Sequence, residues 1–157
     1  MFKSGTIQGV VVRNLEKFVD ERGWLTEVYR KDELDSEHTP VMGYLSMTAP
    51  GVARGPHEHA DQADHFIFVG PSNFKIYLWD NRKPSPTYLN RHIVYAGEDA
   101  PRSVIIPRGV VHAYENIGGK PGMVMNFPNR LFAGEGKKGP VDEIRHEAVP
   151  DSIFRLD

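Results

Sequence analysis

The sequence has no cysteine among its 157 residues, which excludes disulfides, thiol nucleophiles and thiolate-ligated zinc or iron–sulfur sites. It also has little excess charge: 19 Lys and Arg stand against 21 Asp and Glu, so no general attraction to nucleic acid is expected. No apolar run approaches the roughly 20 residues of a membrane helix, and the N-terminus has no signal-peptide apolar region. We therefore expect a soluble, cytoplasmic protein that binds neither nucleic acid nor membranes.

Repeats and low-complexity tracts are absent too, and 39% hydrophobic residues suit one domain over residues 1–157. Short β-rich runs lie between glycine and proline turns, and Asn73–Trp79 alternates Phe74, Ile76 and Leu78 with Lys75, Tyr77 and Trp79. This spacing predicts an all-β sandwich or barrel. The predicted strands are Ile7–Val12, Trp24–Tyr29, Val41–Thr48, His65–Val69, Asn73–Trp79, Arg91–Ala96, Ser103–Ile106, Val110–Glu115 and Met123–Phe127.

Helical signals are sparse. Lys31–Glu37 is short and charged, and Asp142–Glu147 could form one helical turn. Glu135–Gly139 has the composition of a flexible surface loop.

Two stretches carry the histidines that could do chemistry. His57 and His59 are two apart in an extended segment, so their side chains share one face, and Asp64 follows five residues later. His112 comes after a Pro-x-Gly turn that could return its strand across the sheet. Three imidazoles and one carboxylate inside a barrel would suit a divalent transition metal. The alternative is that these histidines only make surface or structural hydrogen bonds.

These stretches resemble the two sequence motifs of the cupin superfamily. The first match departs by an Asp in place of Glu and by a closing Gly one residue early; the second has Pro101 in place of its leading Gly. The resemblance implies a double-stranded β-helix, or jelly-roll, barrel, and leaves the reaction open. The matching positions are Gly51, His57, His59, Asp64 and Gly70, then Pro107, Gly109, His112 and Asn116.

A narrower set of blocks is similar to the dTDP-4-dehydrorhamnose 3,5-epimerase family, a cupin branch of sugar-nucleotide enzymes. The blocks occur in family order over residues 15–132, which indicates common descent. They are Asp20–Gly23 with Glu27, Ser46, Gly51 with Arg54–His57, Gln62, Asp80 with Arg82, Ser85–Thr87, and Ile106–His112.

This resemblance implies a role for each matching residue. His57 would be the general base that removes a proton beside the sugar ketone, with no cofactor. Arg54 would hold substrate phosphate, as its planar fork suits, and His112 would line the pocket. The other residues implied to bind substrate are Gln62, Asn126, and Arg22 and Glu27, which in the family reach the partner's nucleotide site in a homodimer.

Several positions depart from the family pattern. Asp64 replaces a lysine that stabilises the enolate, and Asn126 falls at or near the catalytic tyrosine. Phe132 replaces a second tyrosine, while Met42 and Tyr44 stand where Gln and Asn usually hold the nucleotide. The aspartate that orients the base is expected to be missing, because it lies in a C-terminal extension of the family.

Three functions therefore stay open. The first is an epimerase or isomerase of a nucleotide-linked keto-sugar. The second is a metal-dependent cupin that holds Fe, Mn, Ni or Zn on His57, His59, Asp64 and His112; a carboxylate at position 64 opposes an enolate but suits a metal. The third is a sugar-binding cupin without catalysis.

Overall fold

The computed structural model describes residues 1–157 and consists almost entirely of strands. The 3₁₀ turns are Lys31–Glu33, Ser36–His38 and Glu135–Lys137. The strands are β1 (Lys3–Ser4), β2 (Val11–Asn14), β3 (Phe18–Asp20), β4 (Gly23–Leu25), β5 (Tyr44–Thr48), β6 (Ala53–Glu58), β7 (Asp64–Phe68), β8 (Asn73–Asp80), β9 (Asn90–Gly97), β10 (Arg102–Ile106), β11 (Val110–Asn116), β12 (Gly122–Asn126) and β13 (Ile144–Arg145).

Two sheets form the body of the molecule. One has the order β1-β9-β8-β11-β6-β13 and the other β2-β10-β7-β12-β5, while β3 and β4 form a separate hairpin. Every pairing is antiparallel except that of β1 with β9. The expected all-β jelly-roll barrel is confirmed. None of the helical segments is long and apolar enough to span a bilayer.

The alternation predicted for β8 is confirmed. Phe74, Ile76 and Leu78 point into the main core, where they pack with residues of the opposite sheet. Tyr77 and Trp79 point to the other face and pack with Phe154 from the C-terminal tail. Both faces of this sheet are therefore covered by apolar contacts, which stabilises the wall that carries two of the site histidines.

Other predictions need correction. The strand expected from Ile7 begins only at Val11, because a turn with Gly9 at φ +83° intervenes. The strand expected over Trp24–Tyr29 ends at Leu25, and the one expected from Val41 begins at Tyr44. The charged segment Lys31–Glu37 forms two short 3₁₀ turns instead of one helix.

The C-terminal prediction of a helical turn at Asp142–Glu147 is wrong. Ile144 and Arg145 form β13, which pairs with Glu58 and His57 of β6. The free edge of β6 offers backbone hydrogen bonds to this segment. The pairing stabilises a strand more than the weak local helix propensity stabilises a helical turn.

Gly55 explains how β6 comes close to β11. Its φ is +84°, and a Cβ at this position would lie 2.6 Å from the carbonyl oxygen of His112. Only glycine fits that conformation and that approach. As a result, His57 and His112 become direct partners in the register of β6 and β11.

Candidate active site

A large cavity of about 1030 Å³ opens between the two sheets beside β6. Its volume lies at the upper end of the range typical of small-molecule sites. Residues from β5, β6 and β11 and from the segment after β12 line it. The polar lining relevant to chemistry comprises Tyr44, Ser46, Arg54, His57, His59, Gln62, Tyr114, Arg130, Asp142, Glu143, Arg145 and Glu147.

The three motif histidines meet at the floor of this cavity. The ring of His57 lies 4.5 Å from that of His112 and 5.6 Å from that of His59. One nitrogen of each ring lies within 4.8 Å of the others. Burial and then the nearby charges of His112 and His59 lower the pKa of His57 to about 3, so this imidazole is neutral near pH 7.

Asp64 joins two of these histidines from below. Its Oδ2 lies 3.1 Å from Nε2 of His59 and 3.2 Å from Nε2 of His112. Burial alone would raise the pKa of Asp64, but contacts with His112 and His59 outweigh it and hold the carboxylate ionised. Burial lowers the pKa of His59, and the bond to Asp64 outweighs burial and raises that pKa to about 9.

The outer nitrogens of His59 and His112 are held by backbone carbonyls. His112 Nδ1 donates to the carbonyl of Val110 at 3.0 Å, and His59 Nδ1 donates to the carbonyl of Asp142. A carbonyl only accepts, so each Nδ1 carries hydrogen and each Nε2 presents a lone pair unless a further proton binds. Asp64 Oδ2 and His112 Nε2 are left without a hydrogen bond. Nε2 of His59, Nε2 of His112 and Oδ2 of Asp64 are all electron-rich and lie close together. A cation shared between them, either a proton or a metal ion, would stabilise this arrangement.

Asp142 organises the loop that follows the histidine pair, and sequence reasoning missed it. Its carboxylate accepts the N–H groups of Ala60, Asp61 and Gln62 at 2.8–2.9 Å. Its carbonyl fixes His59, as described above. The C-terminal segment thus supports the site, although it supports His59 where the family resemblance led us to expect an aspartate beside the base. No local signal reveals this, since Asp142 and His59 are 83 residues apart.

Two residues expected to touch substrate lie deeper than predicted. His112 is 2% exposed and Asn126 is fully buried, and neither lines the cavity. The side-chain amide of Asn126 lies between Tyr44 and Asp64, with Nδ2 at 2.9 and 2.8 Å from their oxygens. The polar atoms of both residues face neighbouring side chains and backbone groups instead of the cavity. Their predicted roles in substrate binding stay predictions.

Gln62 and Arg54 do line the cavity. Gln62 Nε2 donates to Asp64 Oδ1 at 2.8 Å. Arg54 donates from Nε to Thr48 and from Nη2 to the carbonyl of Met47, which fixes the guanidinium. Their roles in substrate binding stay predictions.

Arg22 and Glu27 lie away from this chain's cavity. Arg22 pairs with Asp20 on the exposed β3–β4 hairpin, and Glu27 pairs with Arg30. Both side chains are more than half exposed. Their predicted role across a dimer stays a prediction.

His65 points away from the motif histidines. It is 2% exposed, its ring packs 5.8 Å from that of Tyr29, and burial lowers its pKa to about 4. It is not one of the metal-ligand candidates, which agrees with a structural histidine.

Comparison with known proteins gives the family. The sequence model of the dTDP-4-dehydrorhamnose 3,5-epimerase family matches residues 4–130. The probable low-salt glycan biosynthesis epimerase Agl13 of Haloferax volcanii is 36% identical over 127 residues, covering 80% of this chain and 81% of that protein. The spore coat polysaccharide biosynthesis protein SpsL of Bacillus subtilis is 36% identical over 126 residues, covering 80% and 82%.

A solved structure has the same fold. The dTDP sugar isomerase of Desulfovibrio desulfuricans superposes with a TM-score of 0.80 at 22% identity, covering 95% of this chain and 91% of that one. The fold is that of the jelly-roll sugar epimerases and isomerases. The chain belongs to the dTDP-4-dehydrorhamnose 3,5-epimerase family.

Proposed function

We propose that this protein epimerises or isomerises a nucleotide-linked keto-sugar, with His57 as the base that removes a proton beside the ketone. The observation that supports it most is the position of His57, whose side chain lines a cavity large enough for a nucleotide sugar. The imidazole is neutral near pH 7 and so has a free nitrogen lone pair to accept a proton. Arg54 on the same wall supplies positive charge for phosphate.

The surroundings of His57 argue for a reaction variant within the family. Asp64 contributes negative charge below the histidines, so the developing enolate cannot rely on a lysine there. His59 contributes positive charge on this floor, because its raised pKa keeps it protonated when no metal is bound. The names of the two curated relatives add glycan and coat polysaccharide biosynthesis as settings for such a reaction.

The direct test uses dTDP-4-keto-6-deoxyglucose in deuterated water, followed by NMR and mass spectrometry. The proposal expects deuterium to replace hydrogen at the carbon beside the ketone. Absence of uptake at C3 and C5 would reject the standard 3,5-epimerase, and the same assay on other nucleotide-linked keto-sugars then decides whether any substrate of this class reacts. Binding without exchange would instead indicate the sugar-binding protein.

A second candidate is a metal-dependent cupin, and the unpaired Asp64 Oδ2 and His112 Nε2 favour it. The residues fit a divalent transition metal: His57, His59 and His112 offer imidazoles, and Asp64 offers a carboxylate. Backbone acceptors already hold the outer nitrogens of His59 and His112, as is usual for metal ligands. A bound Fe, Mn, Ni or Zn would supply Lewis-acid chemistry.

Elemental analysis of the purified protein tests this candidate, together with melting curves in Fe, Mn, Ni and Zn salts. Either of two results would support it. One is a stoichiometric metal, and the other is a melting temperature that one of these salts raises for the wild type but not for His112→Gln. A metal-free protein whose melting temperature no salt alters would eliminate it.

The proposal includes a cytoplasmic homodimer formed through the N-terminal strands. The β3–β4 hairpin exposes Phe18, Val19, Trp24 and Leu25 by 52–75%, a large apolar surface for one small hairpin. Analytical ultracentrifugation should show a dimer that Trp24→Glu weakens. The matched control is Ile153→Glu, which changes an apolar residue of the C-terminal tail that is also more than half exposed. A monomeric parent protein would contradict the dimer.

A further inference from the structure

Two tyrosines bring phenol groups to the cavity. Tyr114 is 4% exposed, and its hydroxyl is 3.1 Å from that of Ser46. Tyr44 is 44% exposed, and its hydroxyl meets the side-chain amide of Asn126 at 2.9 Å. The two phenols therefore differ in what their oxygen atoms contact.

The orientation of the Asn126 amide decides how Tyr44 uses its hydrogen. Asn126 Oδ1 accepts the backbone N–H of His65 at 2.9 Å, so Nδ2 is the atom that faces Tyr44. Nδ2 can only donate, and it donates to both Tyr44 and Asp64. The Tyr44 oxygen is thus an acceptor in this contact. Its own hydrogen is not used in any bond within the chain and is available to a molecule in the cavity.

Tyr44 and His57 stand on different walls of the same cavity. Tyr44 begins β5 in the five-stranded sheet, whereas His57 is on β6 in the six-stranded sheet. Both line the cavity. A substrate held between the sheets would present one face to the imidazole and the other to the phenol. Inversion of a carbon centre requires this arrangement, since the proton leaves from one face and returns to the other.

We propose that Tyr44 is the general acid of this site, and this inference rests on the proposed epimerase function. His57 takes the proton from the carbon beside the ketone, and the C–H electron pair moves into the enolate. The Tyr44 hydroxyl then gives its proton to the same carbon from the opposite face, and the enolate electrons form the new C–H bond. The Tyr44 phenolate then regains a proton from water. Protonated His57 gives water the proton that it took from the substrate, which completes the cycle.

The surroundings of the phenol agree with this role. Burial is the main influence on Tyr44 and raises its pKa to about 12, so it keeps its proton at neutral pH. The hydrogen bond from Asn126 acts in the opposite direction and favours the phenolate after transfer. Tyr114 lacks this arrangement, because its hydroxyl is shared with Ser46.

The test compares wild type, Tyr44→Phe, Tyr114→Phe and Tyr95→Phe with the reactive keto-sugar in deuterated water. Tyr95 is the matched control: it loses the same hydroxyl on β9, where its ring is 52% exposed and outside the cavity. For Tyr44→Phe we expect epimer formation to fall by about 10²–10⁴-fold. We also expect recovered substrate to carry deuterium with its configuration unchanged, because His57 still removes the proton and returns a deuteron from the same face.

Three results would overturn the role of Tyr44 while the epimerase function stands. In Tyr44→Phe, these are epimer formation at the wild-type rate, or a folded protein that has lost both deuterium exchange and epimer formation. The third is a Tyr114→Phe protein that exchanges deuterium but forms no epimer. Circular dichroism establishes that the variant is folded, and Tyr44→Leu replaces it if it is not. A wild-type protein that exchanges no deuterium with any nucleotide-linked keto-sugar would instead reject the epimerase function itself.

Discussion

Asp64 and Asp80 are both buried carboxylates at strand ends, with 2% and 0% exposure, yet their surroundings differ. Asp80 accepts hydrogen bonds from Arg82, Ser85 and Thr87, and both of its oxygens are satisfied. Asp64 has one satisfied oxygen, and its other oxygen faces two imidazoles without a hydrogen bond.

This difference in hydrogen bonding assigns a structural role to Asp80 and a functional role to Asp64. Complete satisfaction makes the Asp80 cluster a stable corner with no capacity left for a ligand. Incomplete satisfaction at Asp64 costs stability unless a proton or metal occupies the gap. The Asp64 cluster is also the one beneath the large cavity that His57 lines. Both aspartates lie in blocks shared with the family or with cupins, so sequence similarity alone does not distinguish them.

Removing the base above Asp64 should change activity more than any other substitution. His57→Asn should lower the rate of deuterium exchange into substrate by about 10²–10⁴-fold, since general-base catalysis contributes that much. The melting temperature should change little, because the His57 side chain makes no hydrogen bond and its backbone pairing in β6 does not depend on the side chain. His92→Asn on β9, outside the cavity, is the matched control and should keep wild-type exchange. Equal rates in the two variants would contradict the role of His57.

Asp80→Asn should have its effect on stability instead. Replacing the charged acceptor of Arg82, Ser85 and Thr87 should cost about 2–4 kcal/mol in the free energy of unfolding, as expected when a buried charged network is broken. Urea denaturation measures this cost, and folded protein should keep its exchange rate. A cost below about 1 kcal/mol would show that this corner is less important than its hydrogen bonds suggest.

Asp64→Asn should give the opposite pattern to Asp80→Asn. An amide could donate to His112 Nε2, which has no hydrogen-bond partner now, so we expect stability to change by less than about 1 kcal/mol. Exchange activity or metal uptake should fall about 10–100-fold, because the charge that orients His59 is lost. A large stability loss with unchanged activity would reverse our assignment of the two aspartates.

The smallest expected effect is on the acid dependence of stability. Burial alone would raise the pKa of Asp80, but the bonds from Arg82, Ser85 and Thr87 outweigh it and lower that pKa to about 2. A carboxyl group with a depressed folded pKa contributes stability that is fully present above its unfolded value near 4 and is lost as pH falls toward 2. Melting temperatures between pH 5 and 2 should therefore decline less steeply for Asp80→Asn than for wild type. Parallel curves would refute this.

The sequence predicted the parts of the molecule that depend on local pattern. The alternation in Asn73–Trp79 identified both faces of β8, and motif spacing predicted that His57, His59, Asp64 and His112 converge, as they do in the structure. These predictions succeed because strand period and turn chemistry are properties of neighbouring residues.

The predictions that failed depend on pairing between distant segments. β13 is a strand because β6 offers it an edge, and Asp142 supports the histidine loop from 80 or more residues away. Sequence comparison marked Tyr44 only as a departure from the family. Its position beside Asn126 follows from the register of β5 with β12, which a single sequence does not specify.

Tyr44 lies on β5, the last strand of its sheet, so no further strand pairs with β5 on one side. A second copy that paired with this edge would shift the strand and, with it, the phenol. If the proposed homodimer extended to this edge, turnover would rise with protein concentration and fall on dilution.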